Sequence, residues 1–340
     1  MIIKINYPYY NSEHSSQIIT GFILNKDKYD YTLRYQYKPE LLNEFHNNKN
    51  ILEILLGDKR IIIDTDDGYN IASLEDFDNC LDNLDYYFKR SFRSSYHTDL
   101  RNQSKIYPLG LNYYVTCKDN PLNKPGWGRL PLKDSLKKLV RYIPKTNVSY
   151  SNFYKNRFEL LAKNPPDKEQ ILFITRLWDN HDIENTMRIN CVQALRSTFK
   201  DTPMICGFIN SPLAQKLCPE LILDQNITKK NNYLNLVQSS TICVTTTGLY
   251  DSIGWKFAEY VAAGKAIVSE PLLYELPGKF NENENYLSFH DSKTCVKAIE
   301  QLLNYPSLRK KMSDLNITYY NNHLAPEILI ESVLQLFIKS

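Results

Sequence analysis

The chain has 340 residues, 43% of them hydrophobic and 23% charged, with a formal net charge of +3, a balance that suits two globular domains with sizeable cores. The charge is too small to indicate a nucleic-acid binder and suits an anionic small molecule or a transient stay at an anionic membrane surface. No apolar run approaches the roughly 18 residues that span a bilayer, MIIKINYPYY lacks the form of a signal peptide, and seven cysteines without a C-x-x-C pair point to buried reduced thiols in the cytosol.

Strand-like runs open the chain at MIIKINY and recur at TLRYQY, RIIID, YYFKRS and KIYPLGL. Between them NSEHSSQIITGFILN, PELLNEFHNNKNILEILL and ASLEDFDNCLDNL have helical spacing. Such β-α-β alternation predicts a mostly parallel sheet with helices on its faces. From Pro108 a stretch rich in Pro, Gly and Asn reads as a connector, followed by predicted helices over DSLKKLVRYI and SNFYKNRFELLAK. A second series then starts: strand ILFITRLW, helix ENTMRINCVQALRSTF, strand PMICGFI, helix NYLNLVQSS, strand TICVTTT, helix GWKFAEYVAAG and strand KAIVSE. Helices over TCVKAIEQLL and PSLRKKMSDL follow, and PEILIESVLQLFI reads as an amphipathic helix that can return to the N-terminal domain. The expected division is 1–118, a connector over 119–168, 169–325, and a last helix over 326–340. Two α/β domains joined this way place a cleft at the C-terminal ends of both sheets, where open α/β folds bind ligands.

The most informative segment runs from Thr245 to Leu272, TTTGLYDSIGWKFAEYVAAGKAIVSEPL. Its strand ends in hydroxyl residues, of which Thr247 can reach a phosphate or sugar or simply form a polar rim. Gly248 follows, and the loop carries Asp251 and Ser252, both good N-cap types. Gly254 lets backbone approach a ligand closely. The helix from Trp255 would present its free N–H groups and positive dipole end to the cleft as an anion site, with Gly264 as its stop. Lys256 adds a full charge, and Glu259 lies on the same side one turn beyond Trp255. Ile253, Phe257 and Val261 repeat every four residues as the buried stripe. Glu270 ends strand AIVSE, placed to bind sugar hydroxyls or to cap a turn.

Asp251-x7-Glu259 with Gly254 between resembles the acidic-x7-Glu signature of nucleotide-sugar glycosyltransferases of the GT-B fold, especially the retaining family-4-like group (glycosyl transferases group 1). ILFITRLW resembles that group's first C-terminal-domain strand, ending here in Arg176, and KIYPLGLN resembles the segment closing its N-terminal domain. The resemblance implies an α/β fold of two Rossmann-like domains facing across a cleft. It also implies that Arg176 pairs with the donor diphosphate, Glu259 holds the nucleotide ribose and Asp251 contacts the donor sugar. Thr247, Gly248, Ser252, Gly254, Trp255, Lys256 and Glu270 then fall on the donor side. Two residues depart from the pattern. Asp251 stands where Glu is usual, and His181 stands where a lysine follows the strand arginine, so Lys256 is expected to supply the missing cation.

The activity implied is transfer of a sugar from a nucleotide-diphosphate sugar to a glycan or lipid-linked glycan in bacterial surface polysaccharide assembly, such as O-antigen, capsule or lipopolysaccharide. No metal or other cofactor and no nucleic acid is expected, and the location expected is cytoplasmic, with peripheral contact at the inner membrane face. A sugar-nucleotide epimerase of the same fold and a catalytically inactive nucleotide- or glycan-binding protein are the alternatives.

In the N-terminal half, IIIDTDDGYNI carries Asp64, Asp66 and Asp67. A metal-binding Asp-x-Asp belongs to single-domain glycosyltransferases, and here the diphosphate is assigned to the other domain. Asp66 or Asp64 is instead a candidate general base, raised toward neutrality by its neighbours, unless the cluster is only a solvated loop turning at Gly68. Such a base predicts inversion at the sugar carbon, whereas the resemblance leans to retention. Lys89 and Arg90 can hold phosphate or an acidic acceptor or form a solvated basic face, and His14 is a further acceptor-side candidate. The histidines lack metal-ligand spacing, and no G-x-S-x-G, Walker, H-E-x-x-H or G-x-G-x-x-G motif occurs.

Overall fold

The structure, a computed structural model, describes residues 1–9, 12–69, 73–123, 150–163 and 170–338. The helix expected over DSLKKLVRYI lies outside these residues. No helix among the described residues is long and apolar enough to cross a membrane.

Among the described residues the strands form two sheets. The first has six strands, β1 (Ile2–Tyr7), β2 (Thr32–Tyr37), β3 (Ile51–Leu56), β4 (Lys59–Asp64), β5 (Tyr86–Lys89) and β6 (Ile106–Pro108), in the order β2-β1-β3-β4-β5-β6. β3 runs antiparallel to both of its neighbours, and the other adjacent pairs are parallel. Helix α1 (Ser12–Asn25) follows β1, and short helices α2 (Leu41–Glu44) and α3 (Leu74–Cys80) follow β2 and β4.

The expected helix across PELLNEFHNNKNILEILL is therefore only the four residues of α2. Its second half is β3, which forms a hairpin with β4 around Gly57-Asp58, pairing Leu56 with Lys59 and Ile51 with Asp64. A short apolar run does not by itself distinguish helix from buried strand. Here the two-residue turn decides, with Gly57 supplying the left-handed φ of 63°.

The second sheet contains β7 (Ile171–Thr175), β8 (Met204–Phe208), β9 (Ile242–Thr245), β10 (Ala266–Ser269) and β11 (Leu287–Ser288), in the order β11-β10-β9-β7-β8, with all pairs parallel. Helices α4 (Lys155–Lys163), α5 (Asp182–Thr198), α6 (Pro212–Leu217), α7 (Lys230–Ser239), α8 (Trp255–Ala262), α9 (Ser292–Asn304) and α10 (Pro306–Tyr319) surround it. The chain leaves β7 in one direction to β8 and returns on the other side to β9. The crevice beyond the carboxyl ends of β7 and β9 is thus a topological switch point. Thr175 and Thr246 face each other there, with hydroxyl oxygens 3.4 Å apart.

α10 runs through a π-helical turn, Tyr320–Leu324, into α11 (Pro326–Ile338). Leu329, Ile330, Val333 and Leu334 of α11 enter the first domain's core beside Ile18, Ile19 and Phe22 of α1. Asn25 Nδ2 donates to Glu327 O at 2.6 Å and Gln17 Nε2 to Leu324 O at 2.9 Å. The return of the last helix to the N-terminal domain agrees with the sequence reading.

Gly21 allows the close approach of α1 and α11. A Cβ there would lie 2.2 Å from Pro326 O and 2.4 Å from Ile330 Cγ1. Alanine normally gains ~1 kcal/mol over glycine inside a helix. Forced overpacking costs ~1–3 kcal/mol and should outweigh that gain. Gly21→Ala is expected to lower the melting temperature. A raised one would show that the two helices part without cost.

Candidate functional site

Loops at the carboxyl ends of the two sheets meet around a cleft of about 530 Å³. Its C-terminal wall includes Arg176, Thr247, Gly248, Ser252, Gly254, Trp255, Lys256 and Glu259, and its N-terminal wall includes His14 and Arg90. All ten were candidates from the sequence.

α8 lies along the C-terminal wall. Phe257, Val261 and Ile253 are buried as its stripe predicts. It ends in a Schellman motif, with Gly264 N bonded to Val261 O and Lys265 N to Tyr260 O, both at 3.0 Å. Gly254 occupies its N-cap position, and no side chain caps it. A Cβ at Gly254 would have only Thr246 O within 4 Å, at 3.7 Å, and Gly254 itself lines the cleft. The preceding loop closes on itself through Gly248 N and Ser252 O at 2.7 Å, with Tyr250 and Asp251 both at left-handed φ, 56° and 57°.

Cations gather at this end. Arg176 is exposed, and its guanidinium carbon lies 5.2 Å from the Trp178 ring centroid. Its loop is held by Asn185, which accepts from Trp178 N at 2.9 Å and donates to Trp178 O at 2.7 Å. Arg188, which the sequence reading missed, comes from the middle of α5 and is almost wholly buried. Its Nη1 donates to Arg176 O at 3.0 Å and its Nη2 to Thr247 O at 2.9 Å. His181, where a lysine was expected, is engaged by Glu184 at 3.7 Å, and Arg188, seven residues on, reaches the cleft instead. Lys256 is a half-buried residue whose amine donates to Ile174 O. Burial first, and then the Arg176 guanidinium, push its pKa down to about 7. Among the described residues none of Arg176, Arg188 and Lys256 forms an ion pair.

Glu259 is 4% exposed and paired with Lys230, another cleft residue not foreseen. The Lys230 ammonium lies 5.1–5.7 Å from the Tyr233, Phe153 and Phe158 ring centroids.

Several candidates sit elsewhere. Asp64 is buried and turned away from the cleft. Its Oδ2 accepts from Lys89 Nζ at 2.8 Å and from Tyr87 Oη at 2.5 Å, and its Oδ1 from Asp66 N at 2.8 Å. Lys89 shares that pair and a small cavity with Asp64, and neither lines the cleft. Asp66 has the raised pKa expected, through burial and then the charge of Asp64, but Asn50 Nδ2 holds it at 2.6 Å and it does not line the cleft. Asp67 lines it instead, accepting from Arg90 Nη1 at 2.7 Å. Asp251 is exposed and lies outside the cleft lining, although Leu249 and Ser252 of the same loop belong to it. Glu270 also stands back from the lining. Its Oε2 accepts from Thr247 N at 2.8 Å and from Thr247 Oγ1 at 3.1 Å, which shapes the loop rather than presenting the carboxylate to a sugar.

Arg90 ties the domains together. Its Nη2 donates to Ile253 O, just before α8, at 2.5 Å. Beside it Ser94 N donates to Glu275 Oε1 at 2.8 Å, and Glu275 N to Phe92 O at 2.9 Å. This seam closes one edge of the cleft and brings His14 across from Trp255, ring centroids 4.7 Å apart. His14 Nδ1 lies 3.3 Å from Thr65 O. A carbonyl only accepts, so this contact is a hydrogen bond in the tautomer that carries its proton on Nδ1. Burial, and then Arg90, lower the pKa of His14 below its usual 6.5.

Two α/β domains facing across a cation-lined cleft, with the last helix returning to the first domain, define the GT-B architecture. Residues 215–318 match a family model described as glycosyl transferase-like. The fold is shared with a glycosyltransferase from Rickettsia africae ESF-5 at a TM-score of 0.50 and 14% identity, covering 95% of this chain and 81% of that one. A putative UDP-N-acetylglucosamine 2-epimerase from Listeria monocytogenes is similar at a TM-score of 0.48 and 10% identity, covering 100% of this chain and 98% of that one. Anabaena HepE, solved in complex with UDP, is similar at 0.45 and 12% identity, covering 96% and 77%. No curated protein matches the chain.

Proposed function

We propose that the protein is a glycosyltransferase that moves a sugar from a nucleotide-diphosphate sugar to a hydroxyl of a glycan or lipid-linked glycan. The observation that carries this reading is the group of Arg176, Arg188 and Lys256, without carboxylate partners among the described residues, around the open N-terminus of α8 at the switch point. Three cations and free helix amides in one crevice suit the two phosphates of a leaving nucleoside diphosphate. They supply that charge stabilisation from the chain itself, so transfer is expected to continue in a chelator.

In the step proposed, the bond from the sugar's anomeric carbon to the diphosphate oxygen breaks, and a bond to the acceptor oxygen forms. The acceptor proton goes to His14 Nε2. Asp64 and Asp66, the bases expected from the sequence, are committed to Lys89 and Asn50. Glu259 remains the candidate for the ribose, with Lys230 fixing its carboxylate. The net charge of +3 suits an acceptor displayed on an anionic membrane.

The test is a thermal-shift screen with uridine, guanosine, adenosine and cytidine diphosphates and their sugars, followed by transfer assays with mixed glycan acceptors. A nucleotide that raises the melting temperature, and a sugar product only when acceptor is present, support the reading. Sugar isomerisation without acceptor would make the protein an epimerase, and no stabilisation by any nucleotide would sink the proposal.

A further inference from the structure

With a diphosphate as the ligand of the cleft, as proposed above, the surroundings of Lys256 acquire a second meaning. The amine stands in the first turn of α8 and donates to one acceptor, the backbone carbonyl of Ile174. A neutral amine can also donate to a carbonyl, though an ammonium donates more strongly, so the bond does not by itself require a charge. The charged groups facing it come from every element packed around it: Arg176 beyond the end of β7, Arg188 from α5, Lys230 from α7 and Glu259 from its own helix. The Tyr233 ring of α7 covers another side, 5.9 Å from the amine. Three cations thus face Lys256 against one carboxylate, and that carboxylate is already bonded to Lys230.

In the ligand-free protein the one carboxylate that favours a positive charge on Lys256 is Glu259, shared with Lys230, and two groups nearby oppose that charge permanently. A guanidinium keeps its proton under all ordinary conditions, so neither Arg176 nor Arg188 can relieve the repulsion. An amine can, by releasing a proton to water. A diphosphate at the α8 N-terminus reverses the balance, because its negative charges would outweigh the two guanidiniums at the same range.

We propose that Lys256 stands as a neutral amine in the empty cleft and takes up a proton when a nucleoside diphosphate binds beside it, so that binding and protonation are one linked event. The lowered pKa of about 7 agrees with this arrangement. The linkage makes diphosphate release easier as pH rises. Below the free amine's pKa Lys256 is charged with or without ligand and contributes no pH dependence. Above it, affinity should weaken by up to about tenfold per pH unit, until the amine is neutral in the complex too.

The experiment is calorimetric titration of the folded wild-type chain with uridine and guanosine diphosphates and inorganic pyrophosphate. It is run at about pH 8, where the diphosphates of both nucleotides are fully ionised, in two buffers of different protonation enthalpy, and protons are counted on the nucleotides alone because pyrophosphate still titrates near that pH. Wild type should take up close to one proton per ligand bound. Lys256→Arg, which keeps the charge fixed, should bind with uptake near zero and a flat affinity between about pH 7 and 9. Lys256→Gln should bind more weakly, also without uptake, and circular dichroism verifies that both variants fold. Binding without proton uptake by wild type, or uptake unchanged in Lys256→Arg, overturns the linkage and leaves the diphosphate reading standing. Absence of binding by all three ligands overturns both.

Discussion

Asp64→Asn is expected to destabilise the protein strongly, and any loss of activity should follow from that. Asp64 and Lys89 are 3% and 2% exposed and form an ion pair at 2.8 Å. Removing one member of a buried pair costs roughly 3–5 kcal/mol, because the remaining charge is left without compensation. Asparagine preserves the shape and one carbonyl oxygen, so the lower end of that range is expected. Tyr87 Oη, which donates to the same carboxylate oxygen, would lose the charged part of its bond as well. Adding Lys89→Met should recover much of the loss, since the unpaired ammonium leaves with it and methionine fills similar space. Urea or thermal unfolding of the two single variants and the double variant measures this coupling. An unchanged melting temperature with turnover abolished would return Asp64 to the role of base.

The same pair shows what the sequence could and could not convey. Asp64 and Lys89 end adjacent parallel strands, β4 and β5, and are direct register partners. Opposite charges at matching strand ends carry a signal for an ion pair, but it becomes readable only when the two strands are known to be neighbours. The β-α-β series of the C-terminal half was legible because each element announces itself locally, through apolar strands and helices with caps. Its loop from Thr245 to Lys256 was legible for the same reason, since glycine, N-cap types and a first-turn lysine lie together in the chain. Arg188 and Lys230 were not legible. Each is one basic residue on an amphipathic helix, and only the packing of α5 and α7 against the sheet turns them into the cleft. The β3–β4 hairpin was misread although Gly57-Asp58 lay between two apolar runs. Length favoured a helix there, and the turn dipeptide was the stronger evidence.

His14→Gln is the variant expected to separate chemistry from binding. His14 stands near the start of α1, its Nδ1 directed at Thr65 O at 3.3 Å and its backbone oxygen held by Asn112 Nδ2 at 3.3 Å. The Trp255 ring on the other wall packs against its edge. The ring is thus oriented by both domains. A positioned general base contributes about 10²–10⁴-fold, so kcat should fall by that order while the stabilisation produced by nucleotide stays within a few-fold of wild type. The sign of the pH effect follows from burial and Arg90, which hold the His14 pKa below 6.5. The imidazole is therefore neutral and competent at neutral pH, and the rate should fall on the acid side as it gains a proton below that value. In His14→Gln this acid limb should disappear. A side chain that takes the acceptor's proton leaves no second displacement, so the product should have inverted anomeric configuration, read directly by proton NMR. Retention, with His14→Gln close to wild type in kcat, would mean that the attacking hydroxyl gives its proton to the leaving diphosphate. The resemblance of Asp251-x7-Glu259 would then have been the better guide to stereochemistry than the geometry of His14.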